Sequence, residues 1–401
     1  MEILFKQQLN GYQITELKKR LPFLTEVRLS YNIFFRDDVA YGMSITADED
    51  MDTDELSELI GELLEDIYQI KDIPSRVVWE TEKNPVKCTL RQLMSSGMIY
   101  KNTNGQLTLC GEILNLFDAL DVLFSTISQH LFQCRSYRFP VLLPTKTLEV
   151  TGYFEHNPHQ WMNVHRLSRG TRNYRRYTGG QKEQDGYSPD MTDTRFSLPP
   201  TMCYYVYDML KNKAVDNSSY TACGRSFRYE GNHDLPFERL IDFTIRETVF
   251  LGTKEYVETA VDRYMQCVTV VMELLGVSGR CETANDMFFM TDRTAQRLNI
   301  QKMLGNKYEL LLYIPEDGMV AAASFNKHGN FIGKRFHIQA KASPGETAFS
   351  SCIGIGLERL IYACVTQVGL DQISSLTRQV RDTESVIGKL RNLGLTGNAN
   401  D

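Results

Sequence analysis

The sequence predicts an α+β protein in which an N-terminal α/β unit precedes a larger domain of strands and helices. The main evidence is an alternation of short apolar runs with helical apolar patterns in the second half of the chain. It predicts strands at 204–207, 310–314 and 351–355 and helices at 257–275 and 356–368. We therefore predict an accessory domain at residues 1–130 and a main domain at residues 131–401.

Three patterns define the N-terminal unit. The β-rich runs 27–35 and 39–46 flank a charged tripeptide and predict a hairpin. Apolar residues at helical spacing from Leu56 to Ile67 predict an amphipathic helix, and a longer one is predicted at 113–131. Ten carboxylates and no basic residue lie between Asp48 and Asp66. This acidic face is either simply solvated, or repels nucleic acid, or docks a basic partner.

The composition excludes several classes of protein. Of 401 residues, 42% are hydrophobic and 23% are charged, which excludes a disordered or fibrous chain. The net charge of −6 argues against coating nucleic acid through bulk charge. No apolar run approaches the ~20 residues of a membrane span, and residues 1–20 lack the features of a targeting peptide. These two observations argue against a membrane partner. Nine cysteines without a C-x-x-C pair argue against a disulfide framework, so we expect a cytoplasmic protein.

A basic segment follows the first predicted domain. Residues 156–182 contain six Lys or Arg and no Asp or Glu, interleaved with Tyr174, Tyr177 and the pair Gly179-Gly180. One interpretation is an exposed loop. The other is a mobile contact for the phosphate groups of a nucleotide, an RNA or a phosphopantetheine arm.

Two segments further along carry the pattern of a nucleotide site. The first is Phe227-Arg228-Tyr229-Glu230, a turn, and an alternating strand at 238–247. Its arginines suit phosphate oxygens, and Phe243 suits an adenine face. The second, 352–360, runs from a strand into a helix with glycines at the junction and Arg359 one turn in, where it reaches a terminal phosphate. No P-loop pattern occurs in the chain.

In this order the two segments resemble motifs 2 and 3 of the class II aminoacyl-tRNA synthetases, and the helix before Cys134 with Pro140 resembles motif 1. Other segments narrow the resemblance to the amino acid:[carrier protein] ligases, which are relatives of the zinc-dependent atypical seryl-tRNA synthetase. They are VTGYF (150–154), RETVFLGT (246–253), QKMLGNKYELLLYIP (301–315), SFNKHGNFIGKRF (324–336) and CIGIGLER (352–359). The resemblance covers about residues 131–370 and implies an antiparallel class II sheet flanked by helices, in a homodimer.

The resemblance also implies the site. It places a zinc ion on Cys203, Glu247 and Cys352, with an open fourth position for the amino group of the substrate. Glu247 and Asn326 would lie beside the amino acid, and Arg228 and Arg359 would be catalytic. The implied ATP contacts are Arg228, Glu230, Arg239, Leu240, Phe243, Ala321, Ala322, Ala323, Ser324 and Arg359. Mg²⁺ is expected with ATP, but the acidic residue that conventional seryl synthetases carry near 321–326 is missing, which leaves the number of Mg²⁺ sites open.

The implied function is activation of glycine, alanine or serine as an aminoacyl-adenylate, followed by transfer to the phosphopantetheine thiol of a carrier protein. Two alternatives stay open: charging of tRNA, or a non-catalytic synthetase paralogue. The chain has some 70 residues before the point where the short carrier-protein ligases begin, and residues 97–118 loosely resemble the tRNA-binding domain of the atypical seryl synthetases. The acidic helix, in contrast, disfavours contact with RNA.

Overall fold

A computed structural model describes residues 1–37, 39–48, 51–103, 105–178, 191–231, 237–286, 288, 294–316 and 318–397. The strands of these residues are β1 (Glu2–Leu9), β2 (Leu29–Arg36), β3 (Val39–Ala47), β4 (Val77–Glu80), β5 (Ile99–Lys101), β6 (Leu107–Leu109), β7 (Arg135–Tyr137), β8 (Leu143–Pro144), β9 (Asn163–Leu167), β10 (Met191–Ser197), β11 (Ala214–Val215), β12 (Ser218–Phe227), β13 (Asp242–Gly252), β14 (Gly279–Thr283), β15 (Lys307–Tyr313), β16 (Met319–Gly329), β17 (Gln339–Ala340) and β18 (Phe349–Gly356).

The helices are α1 (Gly11–Arg20), α2 (Thr53–Tyr68), α3 (Leu90–Met94), α4 (Gly111–Phe132), α5 (Thr145–Thr151), α6 (Tyr153–His156), α7 (Thr171–Thr178), α8 (Cys203–Met209), α9 (Lys254–Leu274), α10 (Thr294–Leu304), α11 (Phe331–Phe336), α12 (Leu357–Val368), α13 (Ile373–Arg381) and α14 (Thr383–Asn392). Within the described ranges, every helix is too short or too polar to cross a lipid bilayer.

The N-terminal unit is a three-stranded antiparallel sheet in the order β1-β3-β2, packed against α1 and α2. The predicted hairpin is confirmed as β2 and β3, and the predicted amphipathic helix is confirmed as α2. The apolar residues of α2 are buried because their helical spacing aligns them on the face that meets the sheet. Ala295 and Leu298 of α10 complete this core, so a segment from the second half of the chain holds the N-terminal unit in place.

An eight-stranded sheet forms the centre of the molecule, in the order β4-β14-β15-β16-β18-β13-β12-β7. The strand β7 pairs with β12 in parallel, and the other neighbours in this sheet are antiparallel. Helices α4, α9 and α12 bury their apolar residues in one core with strands of the sheet. The predicted antiparallel-rich sheet flanked by helices is therefore present.

Three of the local predictions differ from the structure. The strand predicted at 238–247 begins only at Asp242 and continues to Gly252 as β13. The run 204–207 was predicted as a strand, and this is wrong, because it lies inside α8. A short apolar run does not distinguish a strand from a buried helix, and here Cys203, Val206 and Tyr207 are buried at helical spacing. The basic segment is not simply a loop, since it contains β9 and α7, while its residues 179–182 lie outside the described residues.

The division of the chain at residue 130 stays a prediction. The packing favours an earlier division, between Ile70 and Val77. Ile70 belongs to the N-terminal core, whereas β4 pairs with β14 at the edge of the large sheet and α4 lies in the main core.

Candidate active site

Three elements bring the predicted metal ligands together. Glu247 lies in the middle of β13, Cys352 lies on the adjacent β18 opposite Val249, and Cys203 is the first residue of α8. Alternation along β13 turns Glu247 towards the two cysteines. The residue before it, Arg246, points to the other face, where its Nε and Nη2 atoms each donate to Asp121 at 2.7 Å. The ligand atoms of Cys203, Glu247 and Cys352 all lie within 4.8 Å of one another, and all three residues are buried.

Hydrogen bonds fix the Glu247 carboxylate on both oxygens. The Thr201 hydroxyl donates to Oε1 at 2.5 Å, and the backbone N–H of Cys203 donates to Oε2 at 2.6 Å. Burial, as the largest cause, and the charge of Cys352 together raise the pKa of Glu247 to about 7. A metal ion binds the ionised carboxylate, so metal and proton compete for Glu247.

The Cys352 thiol has several polar neighbours. Asn326 Nδ2 lies 3.7 Å and His328 Nε2 lies 3.6 Å from its sulfur atom. The hydrogen bond from Cys203 and the nearby His328 hold the pKa of Cys352 well below its ordinary value, whereas burial raises the pKa of Cys203. Two sulfur atoms and a carboxylate are the ligand set of a zinc site with one open position, and a buried group of such anionic ligands needs a cation. The residues present therefore fit a zinc ion.

Most of the predicted nucleotide residues lie at the connected end of the β12–β13 hairpin, where Phe227 pairs with Asp242. The Arg228 guanidinium lies 5.3 Å from the centre of the Phe243 ring, and its Nε donates to the backbone oxygen of Pro200 at 3.0 Å. Glu230 is buried and accepts from Arg239 Nη1 at 2.9 Å. Leu240, which follows Arg239 in the chain, is also buried.

Arg359 lies at the start of α12 and reaches the neighbouring strand and loop. Its Nη1 donates to the backbone oxygen of Ala321 at 3.3 Å, and its Nη2 donates to that of Glu238 at 2.5 Å. Burial lowers the pKa of Arg359. The charge of Glu230 raises this pKa, and the charges of Arg239 and Arg228 lower it. The stretch 321–324 lies alongside on β16, where Ser324 pairs with Gly354 of β18.

Three residues of this region were not among the predicted site residues. Glu358 accepts from the backbone N–H of Thr244 with both carboxylate oxygens at 2.9 Å, which joins α12 to β13. Thr201 and His328 contact the cysteine cluster, as described above. Strand alternation could have identified His328, because it lies two residues after Asn326 on β16. No local pattern marks Thr201 or Glu358.

This arrangement defines a class II synthetase-like fold. A crystal structure of the Methanopyrus kandleri seryl-tRNA synthetase, solved in complex with Aquifex aeolicus tRNASec, matches 96% of this chain and 77% of its own chain with a TM-score of 0.67 at 17% identity. The Pyrococcus horikoshii seryl-tRNA synthetase complexed with ATP matches 82% of this chain and 80% of its own at a TM-score of 0.53 and 14% identity. At these identities the likeness concerns the fold.

Sequence similarity narrows the class. The chain is 28% identical over 250 residues to amino acid–[acyl-carrier-protein] ligase 1 of Bradyrhizobium diazoefficiens, covering 61% of this chain and 74% of that protein. It is 25% identical over 193 residues to the type-2 serine–tRNA ligase of M. kandleri, covering 45% of this chain and 36% of that protein. The chain thus matches about a third of that ligase's length. No protein-family model matches the chain. Its homologues include amino acid–[acyl-carrier-protein] ligases and type-2 serine–tRNA ligases.

Proposed function

We propose that the chain uses ATP to activate a small amino acid as an aminoacyl-adenylate and transfers it to the phosphopantetheine thiol of a carrier protein. The single observation that carries the proposal is the convergence of Cys203, Glu247 and Cys352, whose ligand atoms lie within 4.8 Å of one another. The match to a ligase acting on acyl-carrier protein, over 74% of that protein, adds support.

In this proposal Cys203, Glu247 and Cys352 would hold a zinc ion. When bound, zinc supplies a coordination position that selects a free α-amino group and orients the substrate. Thr201 and the N–H of Cys203 keep the Glu247 carboxylate turned towards the two sulfur atoms. Asn326 lies beside Cys352 and contributes a polar wall to the amino-acid site. One methylene group changes binding by only about 1–3 kcal/mol, so glycine, alanine and serine are all substrates to test.

ATP would occupy the other part of the cleft. Phe243 would stack on adenine, Arg228 would bind the α-phosphate, and Arg359 would bind a terminal phosphate. Glu230, Arg239 and Leu240 would line the site, and so would the stretch 321–324. The substrate carboxylate is already a nucleophile, so these residues act by positioning and by neutralising charge in the transition state. Mg²⁺ would enter with ATP.

The surface charge favours a carrier protein as the acceptor. Helix α7 presents Arg172 and Arg175 to solvent, and the helices of carrier proteins are typically acidic. The acidic face of α2 disfavours an RNA backbone on that side of the molecule. The second candidate function is tRNA charging, and it is supported by the match of 96% of this chain to a synthetase solved with bound tRNA.

Amino-acid-dependent exchange of pyrophosphate with ATP, measured with zinc and Mg²⁺ for all twenty amino acids, tests the activation step. We expect exchange with one or more of glycine, alanine and serine. Absence of exchange with every amino acid would contradict the proposal and favour a non-catalytic protein. Labelled amino acid on a phosphopantetheinylated carrier protein, but not on tRNA, would then identify the acceptor, and the reverse result would favour the second candidate.

Reversing the charge of α7 tests the docking surface. The variant Arg172→Glu/Arg175→Glu should lower thiol transfer at least about tenfold at low salt, because steering by charge is lost, and should leave pyrophosphate exchange unchanged. The matched control is Arg378→Glu/Arg381→Glu, two exposed arginines at the same spacing on α13. Equal transfer rates in the two variants would exclude α7 as the docking site.

We also propose that the chain forms a homodimer through α4 and β7. The strand β7 lies at the end of the large sheet, and the exposed apolar residues Val141 and Leu142 follow it closely in the chain. Sedimentation should give the mass of a dimer, and a monomer would contradict this proposal.

A further inference from the structure

Tyr153 carries a buried hydroxyl group that the fold does not use. Its side chain is only 6% exposed, and the hydroxyl makes no hydrogen bond with any residue of the described ranges. Leaving a buried hydroxyl without a partner is unfavourable, so each such group requires an explanation. Tyr153 begins the short helix α6, directly after Gly152, whose φ of 77° lets the chain turn between α5 and α6.

The surroundings of Tyr153 connect the two parts of the cleft. Its ring lies edge-on to the ring of Tyr204 at 6.3 Å, and the charge of Cys203 acts on Tyr204 in turn. Burial raises the pKa of the Tyr153 hydroxyl, and the charged groups that act on it are Arg228 and Glu230. The hydroxyl therefore stays protonated and is available as a donor. The Tyr153 side chain packs in one apolar cluster with Tyr204, which follows Cys203, and with Phe243 of the nucleotide residues.

Tyr205 provides an internal comparison. Its hydroxyl is also buried without a partner among the described residues, and it belongs to the same apolar cluster as Tyr153. Its ring stacks on Phe139 with centroids 5.0 Å apart, and burial raises the pKa of its hydroxyl. The lone hydroxyl of Tyr205 is thus a cost of aromatic packing, whereas that of Tyr153 has the charged groups of a site as neighbours.

We propose that the Tyr153 hydroxyl donates a hydrogen bond to the carboxylate of the amino acid substrate. This inference rests on the proposed function, because it requires a substrate held between the cysteine cluster and Arg228. A neutral donor suits this position. It orients one carboxylate oxygen and leaves the negative charge available for attack on the α-phosphate, whereas a second full cation would hold the nucleophile more firmly in its ground state.

The test compares Tyr153→Phe with Tyr205→Phe. Both variants should have an unfolding temperature equal to or above that of the unmodified chain, since each loses an unpaired buried hydroxyl and keeps its ring. The Michaelis constant for the amino acid in pyrophosphate exchange should rise about tenfold or more in Tyr153→Phe, because a hydrogen bond to a charged group is lost. It should stay unchanged in Tyr205→Phe, and zinc content and the Michaelis constant for ATP should stay unchanged in both.

The outcomes separate the inference from the proposed function. Exchange by the unmodified chain with an unaltered Michaelis constant in Tyr153→Phe would overturn the inference alone. Absence of exchange in the unmodified chain would overturn both. A lower unfolding temperature in Tyr153→Phe than in Tyr205→Phe would show a structural role and overturn the inference. A Michaelis constant that rises for serine but not for glycine would show that the Tyr153 hydroxyl contacts the side chain of the substrate and not its carboxylate, and would overturn the inference.

Discussion

The cysteine cluster gathers groups that can become anions, whereas the nucleotide residues include cations that already have hydrogen-bond acceptors. In the first, two sulfur atoms and a carboxylate converge within 4.8 Å. The hydrogen bonds to Glu247 there come from neutral groups, the Thr201 hydroxyl and the N–H of Cys203. In the second, cations already have acceptors: Arg239 pairs with Glu230, and Arg359 donates to two backbone oxygens.

The difference indicates how each region responds to its ligand. Cys203, Glu247 and Cys352 would bind a metal ion as anions, and buried anions are favourable only beside a cation, so metal binding should release protons and stabilise the fold. The arginines are satisfied in the folded chain, so a phosphate group must compete with the acceptors they already have. The nucleotide residues should therefore keep their arrangement without ATP, whereas the cluster should depend on its metal.

The largest expected effect is at the cluster. Replacing Cys352 with serine should abolish stoichiometric zinc and lower pyrophosphate exchange by at least about 100-fold, more than is typical for loss of a supporting residue. The measurements are metal analysis of the purified chain and the exchange rate. Cys110→Ser is the control, because Cys110 occupies the N-cap of α4, where serine is favoured. Zinc retained by Cys352→Ser would remove this residue from the site.

An intermediate effect is expected at the nucleotide residues. Replacing Arg359 with alanine should raise the Michaelis constant for ATP about tenfold or more, since a charged donor is worth about 1.5–3 kcal/mol. Zinc content should stay at that of the unmodified chain, which would separate the two regions. Arg378→Ala, at an exposed position on α13, serves as the control. Unaltered exchange kinetics in Arg359→Ala would place ATP elsewhere, and loss of zinc would show that the two regions are not independent.

The smallest effect is expected at Gly231, which follows Glu230 in the chain and contacts Pro22 of the N-terminal unit. Gly231 follows Glu230 with a φ of 72°, and a Cβ atom there would lie 2.9 Å from Pro22. Gly231→Ala should lower the free energy of unfolding by about 1–2 kcal/mol, because a left-handed backbone disfavours alanine. Thermal unfolding measures this. Gly388→Ala, inside α14 with open space around it, should instead raise stability by about 1 kcal/mol. Equal stability of the two variants would exclude a tight contact at Pro22.

Periodic patterns predicted a large part of the fold. The apolar spacing of α2 and the hairpin β2–β3 are confirmed, and so is the long helix α4. Alternation in β13 also separated Arg246 from Glu247 onto opposite faces, as the contacts of both residues show. These predictions succeed because the period of a helix or a strand is written in neighbouring residues. The short run 204–207 failed, because four aromatic and apolar residues contain no period.

The sequence by itself determined the local elements and, through its resemblance to known motifs, the residues to examine for a metal and a nucleotide. Only the tertiary structure decided that Cys203, Glu247 and Cys352 meet, that β4 joins the large sheet, and that the buried Tyr153 hydroxyl has no hydrogen-bond partner among the described residues. The physical reason is that strand pairing and side-chain burial depend on contacts between distant segments, which no single stretch of sequence encodes.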